Sequence, residues 1–388
     1  MRRWRCLLHL LWLAPAALFM FLWMRAGWDI RYLVRVLWHR DASTSDYEWK
    51  AHAPVAASSQ PVAWPVAPAC DRVRAAFARD PETRDLDAYL AGGRALAFVV
   101  IHDGAIACEW YGNGGGVDRP AMAFSVSKTV IALLLARAVA DHRIGSLGDP
   151  ITAYIPELHA RDARFDAITL AELVDMRSGL AFEEETSFPW VDHDAPAVYY
   201  ASDLARTAIE RPRIERAPGA FLYNDYAPNL VGVALERATG TRLAPGPMQA
   251  LWNELGATQP AAWLVDGHGF AWHESGLVVT ARDLARIGQL VLDGGKVGDR
   301  QVAPASWVAR STDPAGRTII QTFAGTQLGY RNGWWILGDH DLVAMGHYGQ
   351  IMVVSLTTRT VIVRLGKDGN DETNVSIARR LARIADEL

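Results

Sequence analysis

Lysine is nearly absent from this sequence. Of 39 basic residues only Lys50, Lys128, Lys296 and Lys367 are lysines, and the rest are arginines. The formal net charge is −4, so no basic excess points to a nucleic-acid partner. Cysteine is scarce too: Cys6, Cys70 and Cys108 are the only ones, and no C-x-x-C pair occurs. The histidines show no H-E-x-x-H or similar ligand spacing, and Asp192-His193-Asp194 and Asp339-His340-Asp341 read as loops. We therefore expect no metal and no cofactor. Internal repeats and low-complexity tracts are missing, which excludes solenoids and tandem arrays.

The scarcity of lysine gives Lys128 weight, because it alone has a serine three residues before it, Ser125. Three residues apart on a helix means one face, with side chains in reach. The stretch AMAFSVSKTVIALLLARAVAD, 121–141, predicts a long helix with no polar stripe until Arg137. Such a helix is buried and holds its residues rigidly. Its first free N–H groups and dipole favour a developing anion. The alternative is a surface lysine after a helix cap, but so apolar a helix is an unusual place for a solvated charge. We read Ser125 as a nucleophile and Lys128 as its proton acceptor.

The 388 residues suffice for a large core and more than one structural unit. Fifteen tryptophans suggest aromatic-lined clefts, although core packing accounts for most of them. Basic residues 1–5 precede the apolar run 6–24, long enough to span a bilayer, so 1–25 is expected to be a membrane anchor rather than a signal cleaved near Ala14-Pro15-Ala16. Residues 26–40 suggest an interfacial helix, with Arg31 and Arg35 on one face. Residues 41–69, rich in Ala, Pro and Ser, read as a linker. Cys70 and Cys108 could pair outside the cytoplasm, but two separate buried thiols are the expectation.

From residue 70 the pattern becomes globular. Helical spacing over 71–92 leads into a hairpin, 95–112, that turns at His102-Asp103-Gly104. Residues 145–265 read as helices and loops, with Thr169 capping LAELVDMRS and Gly240 ending a helix from Asn229. Acidic and aromatic 181–200 suits a loop over a cleft. Thr280 caps a further helix, and two-residue alternation then returns in GTQLGYRNGWWILG, HDLVAMGHYG, QIMVVSLTT and RTVIVRLG. An amphipathic helix closes the chain. Hairpin, helices, strands and helix predict an α+β fold, an antiparallel sheet with an inserted helical region.

Two later stretches complete a pattern. PGAFLYNDYAPNL puts Tyr223 and Asp225 ahead of a helix, and GHYGQIMVV puts His347 and Gly349 on a strand edge. With FSVSK these resemble the S-x-x-K, Y-x-N and K-T-G or H-x-G motifs of the serine β-lactamase-like, penicillin-recognising hydrolases. The resemblance covers 70–388, and the hairpin and GHYGQIMVV look closer to the 6-aminohexanoate-dimer hydrolase-like enzymes, which cut linear amides and esters.

The resemblance implies that Ser125 forms an acyl-enzyme, that burial depresses the Lys128 pKa, and that Tyr223 passes the proton to the leaving group. It implies an oxyanion site between the N–H groups of Ser125 and Gln350. Gly349 would keep the strand edge open, and His347 would hydrogen-bond Tyr223 or substrate. The substrate would be a small molecule or short peptide-like chain, and the enzyme would face the periplasm from the inner membrane. Asp225 departs from the usual asparagine, and a carboxylate there favours a charged Lys128. Together with His347 it ranks esterase or amidase above β-lactamase or D-alanyl carboxypeptidase. A catalytically weak, wall-binding member is the other alternative.

Overall fold

The computed structural model describes residues 2–184, 190–323, 326–339 and 341–388. Part of the expected 181–200 loop and His340 therefore lie outside the described residues. Strands β1 (His52–Val55), β2 (Ala95–His102), β3 (Ala105–Tyr111), β4 (Ala121–Met122), β5 (Ala261–Leu264) and β6 (Leu277–Val279) come first in the chain. The short pair β7 (Lys296–Val297) and β8 (Arg300–Gln301) follows. The late run is β9 (Thr318–Phe323), β10 (Thr326–Arg331), β11 (Trp334–Leu337), β12 (Asp341–Gly346), β13 (Gln350–Ser355) and β14 (Thr360–Gly366).

The main sheet has the order β3-β2-β14-β13-β12-β11-β10-β9, with antiparallel neighbours throughout. The early hairpin thus joins the late strands through β2 and β14, with Val99 opposite Val363 and Ile101 opposite Val361. Both faces of this sheet are covered. Val99, Ile101, Met352, Val354, Val361 and Val363 point into the core that holds the serine helix, Ser127–Ala140. Their neighbours Phe98, Val100, Ile351, Val353 and Ile362 point into a second core, with Ile377, Leu381 and Ile384 of the terminal helix Asn374–Asp386. The two-residue period of a strand assigns each side chain to its face, and each fully buried aliphatic contributes about 1.5–3 kcal/mol.

Between β4 and β5 the chain runs through the helical region. Its helix Leu170–Val174 carries the expected Thr169 cap, as a full capping box with Glu172, but is shorter than the expected LAELVDMRS because Met176 turns to φ +56°. The helix Tyr226–Thr239 ends at Gly240 as expected, with φ +70°. Thr280 caps Ala281–Leu292 through the N–H of Asp283.

Several expectations for the N-terminal part need correction. The helix Arg2–Arg25 contains Pro15, and among the described residues no helix is long and apolar enough to cross a membrane. The expected interfacial helix, Ile30–His39, lies on the protein: Leu33 and Val36 are fully buried, the Tyr32 hydroxyl donates to the Val191 carbonyl, and Arg35 donates to the carbonyls of Tyr200 and Ala201. Its apolar face is taken by protein, leaving Val34 and Trp38 outside. The stretch read as a linker supplies β1, the edge of a second sheet ordered β1-β5-β6-β4. The strand is four residues long and only Val55 of it is fully buried, too short a run for periodicity to mark it. Cys70 and Cys108 are not separate thiols: they form a disulfide that ties the helix Cys70–Phe77 to β3.

Candidate active site

The serine precedes its helix rather than lying within it. Ser125 occupies a 3-10 turn, Phe124–Val126, and the α-helix begins at Ser127. Phe124 takes φ +46°, a left-handed value that a bulky residue adopts only when its surroundings hold it. Those surroundings are the second sheet: the Ala123 N–H donates to the Leu277 carbonyl, and the Leu277 N–H donates to Ser127 Oγ at 3.1 Å. From the other side comes the β10–β11 turn, Asn332-Gly333, with φ +56° and +80°. Thr129 Oγ1 donates to the Gly333 carbonyl at 2.7 Å, and a side chain at Gly333 would press on the serine helix.

Lys128 is buried, and its Nζ makes three close contacts: Ser125 Oγ at 2.8 Å, the Glu274 carbonyl at 3.0 Å and Asp225 Oδ1 at 2.8 Å. The Tyr223 ring centroid lies 4.9 Å from the same nitrogen. The structure thus brings Ser125, Lys128, Tyr223 and Asp225 together. Tyr223 itself is set by aromatic packing: it stacks on Trp335 at 5.4 Å and meets Tyr330 edge-on. Asn224 anchors the segment by accepting from the Ala227 N–H.

The electrostatics correct the expectation for Lys128. Burial works to lower its pKa, but Asp225, Tyr223 and Glu274 together hold it above the usual lysine range. The Tyr223 phenol is likewise raised, by burial first, with Lys128 opposing and Asp225 adding to the rise. The surroundings thus favour the ammonium form of Lys128. No motif marked Glu274, which is also part of this group. Its carboxyl is buried, Oε2 has no hydrogen-bond partner, and burial together with Asp225 lifts its pKa to about 8. Its only sequence signal is an acid beside the glycine-led β6, which no spacing rule picks out.

The turn His347–Gly349 joins β12 to β13, and Gly346 pairs with Gln350 across it. Gly346 is the glycine that faces the serine: a Cβ there would lie 2.3 Å from the Ala123 carbonyl oxygen and 3.2 Å from Ser125 N. Gln350 is held by its side chain, which exchanges hydrogen bonds with Gly366 at 2.9 and 3.0 Å. Gly349 is also constrained by packing. Its φ is +75°, and a side chain would strike the guanidinium of buried Arg364, which donates to the Gly349 carbonyl. His347 makes no hydrogen bond to Tyr223 among the described residues. Its ring lies 5.9 Å from Phe124 and 4.0 Å from Tyr348, and burial lowers its pKa against Asp41 and Asp368.

Ser125, Asp225 and His347 open into a cavity of about 350 Å³, the size of a small-molecule site. The 181–200 stretch does border it, through Glu184, Pro196, Tyr199 and Tyr200, but part of that wall is the helix Asp194–Tyr199 rather than a loop. Among the described residues no group of metal-ligating side chains occurs.

Known proteins share this architecture. The 6-aminohexanoate-dimer hydrolase of Paenarthrobacter ureafaciens is 28% identical over 303 residues, covering 74% of this chain and 76% of that one. A provisionally named 6-aminohexanoate-dimer hydrolase structure from Bacillus anthracis superposes with a TM-score of 0.76 at 24% identity, over 88% of this chain and 92% of that one. A penicillin-binding protein homologue from Caulobacter crescentus gives a TM-score of 0.61 at 16% identity, over 82% and 97% of the two chains. The Beta-lactamase family model matches residues 84–387, and the chain belongs to that family of hydrolases.

Proposed function

We propose that this protein is a serine hydrolase that cleaves short esters or linear amides through an acyl-enzyme on Ser125. The observation that carries this reading is the single lysine amine 2.8 Å from the Ser125 hydroxyl, at the floor of a cavity wide enough for a small substrate. Ser125 Oγ attacks the acyl carbon once Lys128 has released a proton and can accept the one from the hydroxyl. Tyr223 donates a proton to the departing alkoxide or amine and recovers it from the water that later attacks the acyl-enzyme ester, while Lys128 returns its proton to the departing Ser125 Oγ. The N–H groups of Ser125 and Gln350 hold the negative oxygen, each such donor typically contributing about 100-fold or more in rate. The linear-amide preference follows the relative named 6-aminohexanoate-dimer hydrolase, and the ester preference follows the resemblance of the motifs. Asp225, paired with Lys128, argues against a β-lactam specialist and favours slow chemistry near neutral pH.

The Cys70–Cys108 disulfide supports a location outside the cytoplasm, where such bonds persist. The test of function is turnover of p-nitrophenyl acetate and of a linear amide by the purified chain and by Ser125→Ala. Hydrolysis lost with the hydroxyl supports the reading. A folded protein with no turnover, or one whose Ser125→Ala variant is equally active, contradicts it and leaves a binding protein of the same fold.

A further inference from the structure

We propose that residues 40–50 form a fixed end wall of the substrate cleft and restrict this hydrolase to substrates whose group on that side is short; the proposal rests on the serine-hydrolase reading above. The stretch lies before residue 84, where the family match begins, yet Arg40, Asp41 and Ala42 line the same cavity as Ser125. Arg40 ends the helix Ile30–His39 with φ +61° and its N–H on the Val36 carbonyl, a turn that sends the chain across the cleft.

The wall is fastened to both sides of the cavity. On the side of the main sheet, the Tyr348 hydroxyl donates to the Ala42 carbonyl at 2.6 Å, next to His347. Asp368, just past β14, accepts from Ser43 Oγ and from the Thr44 N–H, the latter at 2.7 Å. On the helical side, the Tyr199 hydroxyl donates to Asp46 at 2.6 Å, and Tyr199 borders the cleft. Lys50 completes this anchor. It is buried, donates to the Tyr199 carbonyl at 2.6 Å, and sits 3.5 Å from the Tyr199 ring and 4.2 Å from that of Trp272. Burying a lysine is costly unless it is paired in this way, so the aromatic box and the carbonyl hold the strap in one position. A strap tied at both flanks cannot swing aside for a long chain without breaking those contacts. The cavity of about 350 Å³ is what it leaves.

The experiment compares kcat/KM of the full chain, of Asp368→Ala/Tyr348→Phe and of Arg40→Ala over two ester series. One lengthens the acyl group on a constant p-nitrophenol; the other lengthens the leaving group on a constant acetyl. The double variant releases the strap on the sheet side, and Arg40→Ala, an exposed side chain, thins the wall without touching the core. We expect the wild type to discriminate against long members of one series. The variants should recover those members by about ten-fold or more relative to the shortest one. Profiles in both series that match the wild type overturn the end wall, as does a wild type indifferent to length. A wild type that cleaves neither these esters nor a linear amide removes the serine-hydrolase reading and this proposal with it, and one that cleaves amides alone is compared over amides lengthened on the same two sides.

Discussion

The proton on Lys128 governs when Ser125 can react. A protonated amine 2.8 Å from the hydroxyl can donate to it but cannot take its proton. Asp225, Tyr223 and Glu274 hold the amine above its usual pKa despite burial, so the acceptor form appears only as pH rises. Activity should therefore climb through the alkaline range. Replacing Asp225 by asparagine removes the opposite charge that favours the ammonium. The rise in kcat/KM should then move down by about one to three pH units, read from a pH profile with a soluble ester. Freed from Asp225, Glu274 ionises more readily and restores part of the field, so Asp225→Asn/Glu274→Gln should move the profile further. A profile unchanged in both variants would contradict this account of the base. Ser125, Lys128, Tyr223 and Asp225 were legible because each occupies a spaced motif. Glu274 and Gly346 were not, because their meaning comes from burial and from a contact across the sheet.

At the scale of elements, the serine turn is clamped between β4–β6, the Asn332-Gly333 turn and the end of β12. The tightest of these contacts is at Gly346, where an added methyl would come within 2.3 Å of the Ala123 carbonyl. Gly346→Ala should displace the turn that carries Ser125, and a displacement of about 1 Å can cost about 100-fold in rate. Far-UV circular dichroism should stay close to wild type while kcat falls. Retained kcat would mean the β12 end does not set the serine. Alternation announced the late strands, and the helix caps at Thr280 and Gly240 were readable as residue types. The 3-10 turn at Ser125 was not, since a 3-10 turn and a first helical turn share the same apolar spacing. Strand β1 escaped because it is four residues long in an Ala-, Pro- and Ser-rich stretch, and of its side chains only Val55 is fully buried.

On the scale of the whole molecule, the N-terminal part is built into the body that it was expected to leave. The helix Ile30–His39, the strap and β1 are joined to the helical region and to both sheets. Such joins link residues more than a hundred positions apart, which local patterns do not record. The same holds for Cys70 and Cys108, whose pairing the spacing left open. Closing 38 residues of sequence, this bond should stabilise the fold by about 3–4 kcal/mol through the unfolded chain. Reductant should lower the denaturant midpoint accordingly, and an unchanged midpoint would show that the bond does not constrain the unfolded chain. Catalysis in this molecule turns on one oxygen atom, Ser125 Oγ. The most direct measurement is intact mass and peptide mapping after exposure to a fluorophosphonate. A single adduct is expected on the peptide carrying Ser125, absent from Ser125→Ala; no adduct on folded protein, or an adduct elsewhere, would rule out Ser125 as the nucleophile.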